Sequence, residues 1–191
     1  MPDDRRCPRL LVLLRPLLVV PHLGWLQLWG VIALASVVGN WFATLVLGRS
    51  PDGLHVFGAG FLRYATHVLG YLLVLAQPFP AFGGRRGYAV DLADVPRERQ
   101  RRLMVLFRLV LALPALAAAA VAGGVACVVV ALNWLVAVAT GRLPPRLAAT
   151  ALVVLRFEIR VLAYLCVLTP RYPTPAAAAG VDGHRPDRQS A

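Results

Sequence analysis

Two uncharged apolar runs, Leu23 to Leu47 and Leu116 to Thr140, dominate the hydropathy pattern of the chain. Each is longer than the roughly 20 residues a helix needs to cross a hydrocarbon core of about 30 Å, so both predict transmembrane helices. A second apolar stretch follows each run and carries charge in its interior. Gly53 to Ala76 holds His55, Arg63 and His67, and Arg146 to Thr169 holds Arg156, Glu158 and Arg160. An Arg at the bilayer centre costs about 2.5–3.5 kcal/mol on insertion scales, whereas each Leu, Ile, Phe or Val returns only about 0.3–0.6. Insertion of either stretch alone is marginal, so each is expected to enter as the second arm of a hairpin, behind its strong partner and a short loop. Before each strong run lies a shorter apolar piece, Leu10 to Val20 and Leu103 to Leu113, interrupted by Arg15 and Arg108 and closed by Pro21 and Pro114. At 1.5 Å per residue such a piece reaches about half way across the core. The pattern therefore predicts an interfacial helix, a proline bend, a long span, a tight loop and a polar-bearing span.

This order occurs twice. Arg15 and Pro21 recur as Arg108 and Pro114, Asn40-Trp41 as Asn133-Trp134, Gly48-Arg49 as Gly141-Arg142, Arg63 as Arg156 and Tyr71 as Tyr164, always at the 93-residue offset that separates Arg15 from Arg108. Roughly a third of the positions from Arg9 to Pro80 match their counterparts between Arg102 and Pro173, the signature of two copies of one structural unit. The first membrane repeat is assigned to residues 1–80, with an interfacial helix at 10–20 and spans at about 22–47 and 53–76. A basic cytoplasmic linker occupies 81–101. The second repeat occupies 102–173, with an interfacial helix at 103–113 and spans at about 115–140 and 146–169, and a disordered tail is expected at 174–191. The expected fold class is an all-α integral membrane protein with four transmembrane helices in two tandem repeats.

Arginine placement supplies the orientation, because basic residues near span ends collect on the cytoplasmic side. If each unit crosses twice, Arg5, Arg6 and Arg9, the linker arginines, and Arg171, Arg185 and Arg188 share one side, and the opposite side receives only Arg49, Arg142 and Arg146. Both termini are then cytoplasmic and the repeats are parallel, related by an axis along the membrane normal. The amino terminus lacks a small-residue cleavage site, so the first span is expected to direct insertion.

Composition narrows the class of function. The chain is 59% hydrophobic with a mean hydropathy of +0.67, well above the roughly 45–50% of a soluble domain. Its net charge is +11 and every one of its basic residues is Arg. Those residues flank membrane segments, where attraction to anionic headgroups is worth about 1 kcal/mol each, so Arg85, Arg86, Arg97, Arg99, Arg101 and Arg102 are assigned to the membrane surface and nucleic acid is not expected as a partner. Cys7, Cys127 and Cys166 show neither a disulfide framework nor metal-ligand spacing, and no metal is expected. A haem between His22 and His67 is disfavoured because His22 opens the first span while His67 lies well inside the second, leaving no expected cofactor. Catalysis needs a nucleophile with a base, or paired carboxylates. Glu158 stands alone within the spans, so no catalytic residues are assigned and no enzyme is expected.

The pieces RLLVLLRPLLVVPHL, NWFATLVLGRSPDGL, FLRYATHVLGYLLVL and QPFPAF, with second-copy versions ending TPRYPTP, resemble the bacterial membrane proteins grouped as domain-of-unknown-function family 4389. The resemblance covers most of both units, and its distinctive parts are the Gly-Arg-x-Pro loop and the Arg-to-Tyr spacing of the last helix. It implies a multi-pass protein of the bacterial inner, or plasma, membrane, and implies no activity. The second unit departs from the pattern with Ala115 where the first has His22, so any task of His22 is not shared.

Polar groups inside the apolar segments carry the functional expectation. Arg63, His67 and Tyr71 are spaced i, i+4, i+8 on one helical stripe, and Arg156, Arg160 and Tyr164 repeat it. Intramembrane ionisable groups are functional candidates by default. In a structural reading, Asn40 pairs with Arg63 and Asn133 with Arg156, locking each hairpin, while Glu158 pairs with an Arg of the other unit. In a functional reading, the two stripes meet near the repeat axis and hold an anion or an acidic lipid headgroup, for which Arg offers bidentate contacts. The expected function is a non-catalytic membrane accessory or scaffold that binds acidic phospholipid, an unidentified membrane protein or a second copy of itself. The alternative is a small transporter or channel with an Arg-lined anion pathway.

Overall fold

A computed structural model of the chain describes residues 9–76, 79–84, 87–88, 90–91, 96 and 98–178, and its elements are all helices. They are α1 (Arg9–Leu47), α2 (Asp52–Leu72), α3 (Arg102–Leu106), α4 (Arg108–Thr140), α5 (Pro145–Leu165) and α6 (Pro175–Ala178). The first repeat does not contain a separate interfacial helix. Instead α1 is one helix of 39 residues that passes through Pro16 and Pro21, about 58 Å long at the standard rise. In the second repeat the break falls at Phe107, between α3 and α4, and Pro114 lies inside α4. A proline inside a helix deprives the carbonyl four residues earlier of its donor. For Pro16 that carbonyl belongs to Val12, and it accepts the Trp134 Nε1–H at 2.9 Å. Its counterpart Val105, at the end of the short α3, accepts the Trp41 Nε1–H at 2.6 Å.

These two bonds fix the relation between the repeats. Val12 near the start of α1 touches Trp134 near the end of α4, and Val105 just before α4 touches Trp41 near the end of α1. Two long helices can satisfy both bonds only if they run in opposite directions. The repeats are therefore inverted, related by a pseudo-twofold axis across the helices, and the parallel arrangement expected from arginine placement is not adopted. That expectation counted flanking charges along the chain; the structure instead places carbonyls freed at Pro16 and at the α3 terminus opposite indole donors of the other repeat. The described ends consequently lie at opposite ends of the bundle. Arg9 begins α1 beside the Trp134 end, whereas Arg171 and α6 follow α5 at the Trp41 end.

Each repeat is an antiparallel hairpin, and the two hairpins pack through α2 and α5. Gly48 and Gly141, both with φ of 72°, close α1 and α4 in the left-handed conformation that glycine adopts without steric cost. The shared core contains Ala65 and Leu73 from the first repeat, Leu75 just after α2, and Val129, Ala151, Leu155 and Ile159 from the second. Leu62 meets Ala163, Cys166 and Leu168 at one end, and Val12 and Val74 meet Ala137 and Leu143 at the other. An inverted second copy after two helices requires the connecting chain to reach the opposite end of the bundle, and the described linker residues between Gly84 and Asp91 pack on α2. Gly84 packs on the Tyr64 backbone so closely that a Cβ would lie 3.0 Å from the Tyr64 nitrogen, and Val90 packs on Gly70. The first residues of the expected disordered tail form α6, whose Ala178 is buried against Phe157 and Val161; residues 179–191 lie outside the described residues.

The outward surfaces of α1 and α4 remain apolar. Both helices are long and apolar enough to cross a membrane, with only 17% and 11% of their most apolar stretches buried inside the protein. Most side chains of those stretches therefore face outward, as a large exposed apolar surface rather than as core.

Pro16→Ala would return a main-chain N–H to the Val12 carbonyl. Replacing Trp134 by Phe is expected to cost about 1–2 kcal/mol beside the native Pro16 and clearly less in the Pro16→Ala background, read from a double-mutant cycle of unfolding titrations. Equal costs in the two backgrounds would contradict the proposed use of the freed carbonyl.

Candidate functional site

The most deeply buried cations are Arg15 and Arg108, equivalent residues of the two repeats, at 2% and 4% exposure. Each lies over an equivalent tyrosine. The Arg15 guanidinium carbon is 4.3 Å from the Tyr71 ring centre and that of Arg108 is 4.2 Å from the Tyr164 ring centre, a geometry that favours a desolvated cation on an aromatic face. Arg15 Nη1 also donates to the Tyr71 carbonyl at 2.8 Å. Arg108 donates through Nη1 to Gln100 Oε1 and through Nη2 to the Thr169 carbonyl. Both cations thus hold the carboxyl-terminal turn of the second helix of their own hairpin.

Those turns have unusual backbone geometry. Leu75 N–H bonds to Gly70 and Val74 N–H to Tyr71, and the pattern repeats from Leu168 to Ala163 and from Val167 to Tyr164. This is a Schellman ending with valine where glycine is usual. Val74 and Val167 adopt φ of 63° and 59°, a conformation that strains a β-branched residue by about 1–3 kcal/mol. Both valines are buried, so packing holds them there. The turn releases the carbonyls of Leu73 and Cys166, and the opposite repeat captures each one. Asn133 Nδ2 donates to Leu73 at 2.8 Å and Asn40 Nδ2 donates to Cys166 at 3.0 Å.

The expected pairings of Asn40 with Arg63 and of Asn133 with Arg156 are therefore replaced by bonds between repeats. The amide Nδ2 of each asparagine is drawn to a backbone carbonyl left open by the turn, while Arg63 has Asp91 as its partner and Arg156 is exposed. The two asparagines differ in their second atom. Asn40 Oδ1 accepts from Ser50 at 2.7 Å and from Thr44 at 3.4 Å. The corresponding residues of the second repeat are Leu143 and Ala137, and Asn133 Oδ1 is buried without a hydrogen-bond partner among the described residues.

The two basic stripes do not meet. The α2–α5 contact is apolar, through Ala65, Ala151, Leu155 and Ile159. On α2 the linker supplies its own anion to the stripe. Asp91 Oδ1 lies 3.4 Å from Arg63 Nε and 3.0 Å from His67 Nε2, its Oδ2 accepts from the Gly87 N–H at 2.9 Å, and Tyr88 stacks on His67. On α5, Arg156 and Arg160 are exposed, and of that stripe only Tyr164 is buried. The expected pairing of Glu158 with an Arg of the other unit is also absent: its Oε1 is buried beside Gly123 of α4 without a hydrogen-bond partner among the described residues.

His22 and His67 each have partners that separate them. His22 Nδ1 shares a 2.7 Å hydrogen bond with the Tyr64 hydroxyl, and its ring is stacked on Phe82 with centres 4.2 Å apart. Of the linker arginines, Arg85, Arg86 and Arg97 lie outside the described residues. Arg99, Arg101 and Arg102 are exposed, and Arg102 Nη2 donates to the Val46 carbonyl at 2.8 Å. The residues that hold the bundle together, Arg15, Arg108, Trp41 and Trp134, were visible as recurring positions, but not their partners. Gln100 and Asp91 have no repeat signal.

The class is thus defined by architecture: an all-helical protein of two inverted repeats with two helices capable of crossing a membrane. The chain belongs to the family described as "Domain of unknown function (DUF4389)", whose pattern matches it twice, over residues 9–82 and 102–177. No curated protein and no solved structure matches the chain.

Removal of Asn40 strands the Cys166 carbonyl and takes an acceptor from Ser50 and Thr44, whereas removal of Asn133 strands one carbonyl and also abolishes a buried orphan oxygen. Asn40→Ala is expected to destabilise the protein by about 1–2 kcal/mol more than Asn133→Ala, by denaturant titration of the two variants. An equal loss would show that the difference in partners has no energetic weight.

Proposed function

We propose that this chain is a non-catalytic membrane accessory or scaffold protein that binds acidic lipid or a partner protein through the basic face of α5. In this reading α1 and α4 cross the bilayer in opposite senses, with α2 and α5 packed beside them and the two tight loops on opposite faces. The observation that carries the proposal is the asymmetry of the stripes. The linker carboxylate of Asp91 pairs with Arg63 and hydrogen-bonds His67, while Arg156 and Arg160 are exposed on the equivalent helix. An exposed Arg pair beside apolar surface suits anionic headgroups or an acidic segment of another membrane protein. The buried arginines are occupied in holding helix ends, which favours a rigid organiser over a polar conduit.

Native mass spectrometry of protein extracted gently from its own membrane tests this reading. Wild type is expected to carry anionic lipid or a partner subunit that the Arg156→Gln, Arg160→Gln variant loses, with the fold intact by circular dichroism. Identical companions in the two preparations would overturn the role of this face.

A further inference from the structure

Arg108 does more than close the end of α5. A cavity of about 240 Å³ opens above it, lined by Arg99, Gln100, Arg101, Met104, Tyr164 and Pro170 as well as Arg108 itself. Three arginines line this space, and among the described residues no carboxylate does. Glu98, the nearest acid in sequence, is turned to Arg171 at 3.2 Å. Among the described residues neither Arg99 nor Arg101 forms an ion pair, and the buried Arg108 Nε has no hydrogen-bond partner. Gln100 is fixed from both sides, since its Nε2 donates to the Val167 carbonyl at 2.8 Å and its Oε1 accepts from Arg108. The floor of the cavity is therefore held in place, with two exposed arginines at the rim.

The pseudo-symmetry supplies a second, independent observation. In the first repeat the linker comes near the equivalent pair, where Tyr88 interacts electrostatically with Arg15 and Tyr71. The cavity of the second repeat has no such cover among the described residues. It also lies immediately before the apolar stretch that begins at Val110, with Leu103, Met104 and Phe107 exposed beside it.

We infer that the Arg99–Arg101–Arg108 cavity is a phosphate-binding site. Planar guanidinium forks match phosphate oxygens bidentately and hold them strongly where water is limited. A cation already desolvated on the Tyr164 face is stabilised further by a bound anion, while the rim arginines are free to close on it. The phosphate belongs either to a lipid headgroup, whose chains would lie along the apolar surface beside Met104, or to a soluble phosphate. This site is separate from the Arg156–Arg160 face, and the inference rests only on the membrane setting of α4 for its lipid form.

Thermal unfolding of the purified full chain tests the inference with two probes, phosphatidic acid added to neutral-lipid micelles and inorganic phosphate at constant ionic strength against chloride. Wild type is expected to be stabilised by at least one probe, and the Arg99→Gln, Arg101→Gln variant to bind that probe at least tenfold more weakly. Arg108 is left in place because it also holds the α5 turn. The Arg156→Gln, Arg160→Gln variant is expected to keep the response, which separates this site from the face proposed above. Stabilisation by the lipid alone identifies a headgroup site, and stabilisation by inorganic phosphate, with or without the lipid, identifies recognition of the phosphate itself. No stabilisation by either probe, an equal effect of chloride, or an undiminished response in the Arg99, Arg101 variant overturns the inference.

Discussion

Four side chains, Asn40, Trp41, Asn133 and Trp134, donate hydrogen bonds across the boundary between the repeats, and each donates to a backbone carbonyl of the other repeat. The tryptophans serve carbonyls near the start of each unit, and the asparagines serve the strained turns that end α2 and α5. A buried carbonyl without a donor is costly. Neither repeat can satisfy these groups by itself, so the two units complete one another. The antiparallel course of α1 and α4, the apolar α2–α5 seam and the long return of the linker all follow from that exchange.

The linker shows how one constraint produces a second. Because an inverted copy must be reached from the far end, a polar segment is drawn along α2, where it meets Arg63 and His67. Asp91 then acts as an internal counter-ion, and Tyr88 reaches the Arg15 end. Of the described linker residues Pro80 and Gly84 are buried under protein, while Phe79 and Phe82 remain exposed. The second repeat has no equivalent cover among the described residues. Its arginines on α5, Arg156 and Arg160, and at the rim around Arg108, Arg99 and Arg101, are exposed, and a duplicated unit has acquired different surfaces without losing its common frame.

Much of that frame was legible in the sequence. The uncharged runs identified α1 and α4, the 93-residue recurrence identified the two units, and the Gly-Arg loops identified both hairpin turns. The helix breaks were misplaced because Pro21 and Pro114 read locally as bends, although a helix tolerates proline when the freed carbonyl finds another donor. The direction of the second unit was misjudged for a related reason. Arginine counts report only which segments carry charge, whereas inversion is decided by hydrogen bonds between residues 64 and 122 positions apart, Trp41 with Val105 and Trp134 with Val12. The arginine stripes were correctly placed on helix faces, but their fates depended on Asp91, a linker residue that periodicity cannot assign to a partner. Arg15 and Arg108 stood out as recurring charges in apolar segments, and only the fold brought Tyr71 and Tyr164 beneath them.

The central claim is that the two repeats are inverted and joined end to end by reciprocal bonds. Leu13 and Leu135 are exposed neighbours of Val12 and Trp134, and spin labels at these two positions report on it by pulsed electron resonance. Adjacent antiparallel helix ends, spaced about 8–10 Å apart before label length is added, predict a distribution centred below roughly 25 Å. In a parallel arrangement Leu135 would sit at the level of Phe42, about 44 Å from Leu13 along the helix axis. A distance near that larger value, in protein that is folded and membrane-inserted, would contradict the account.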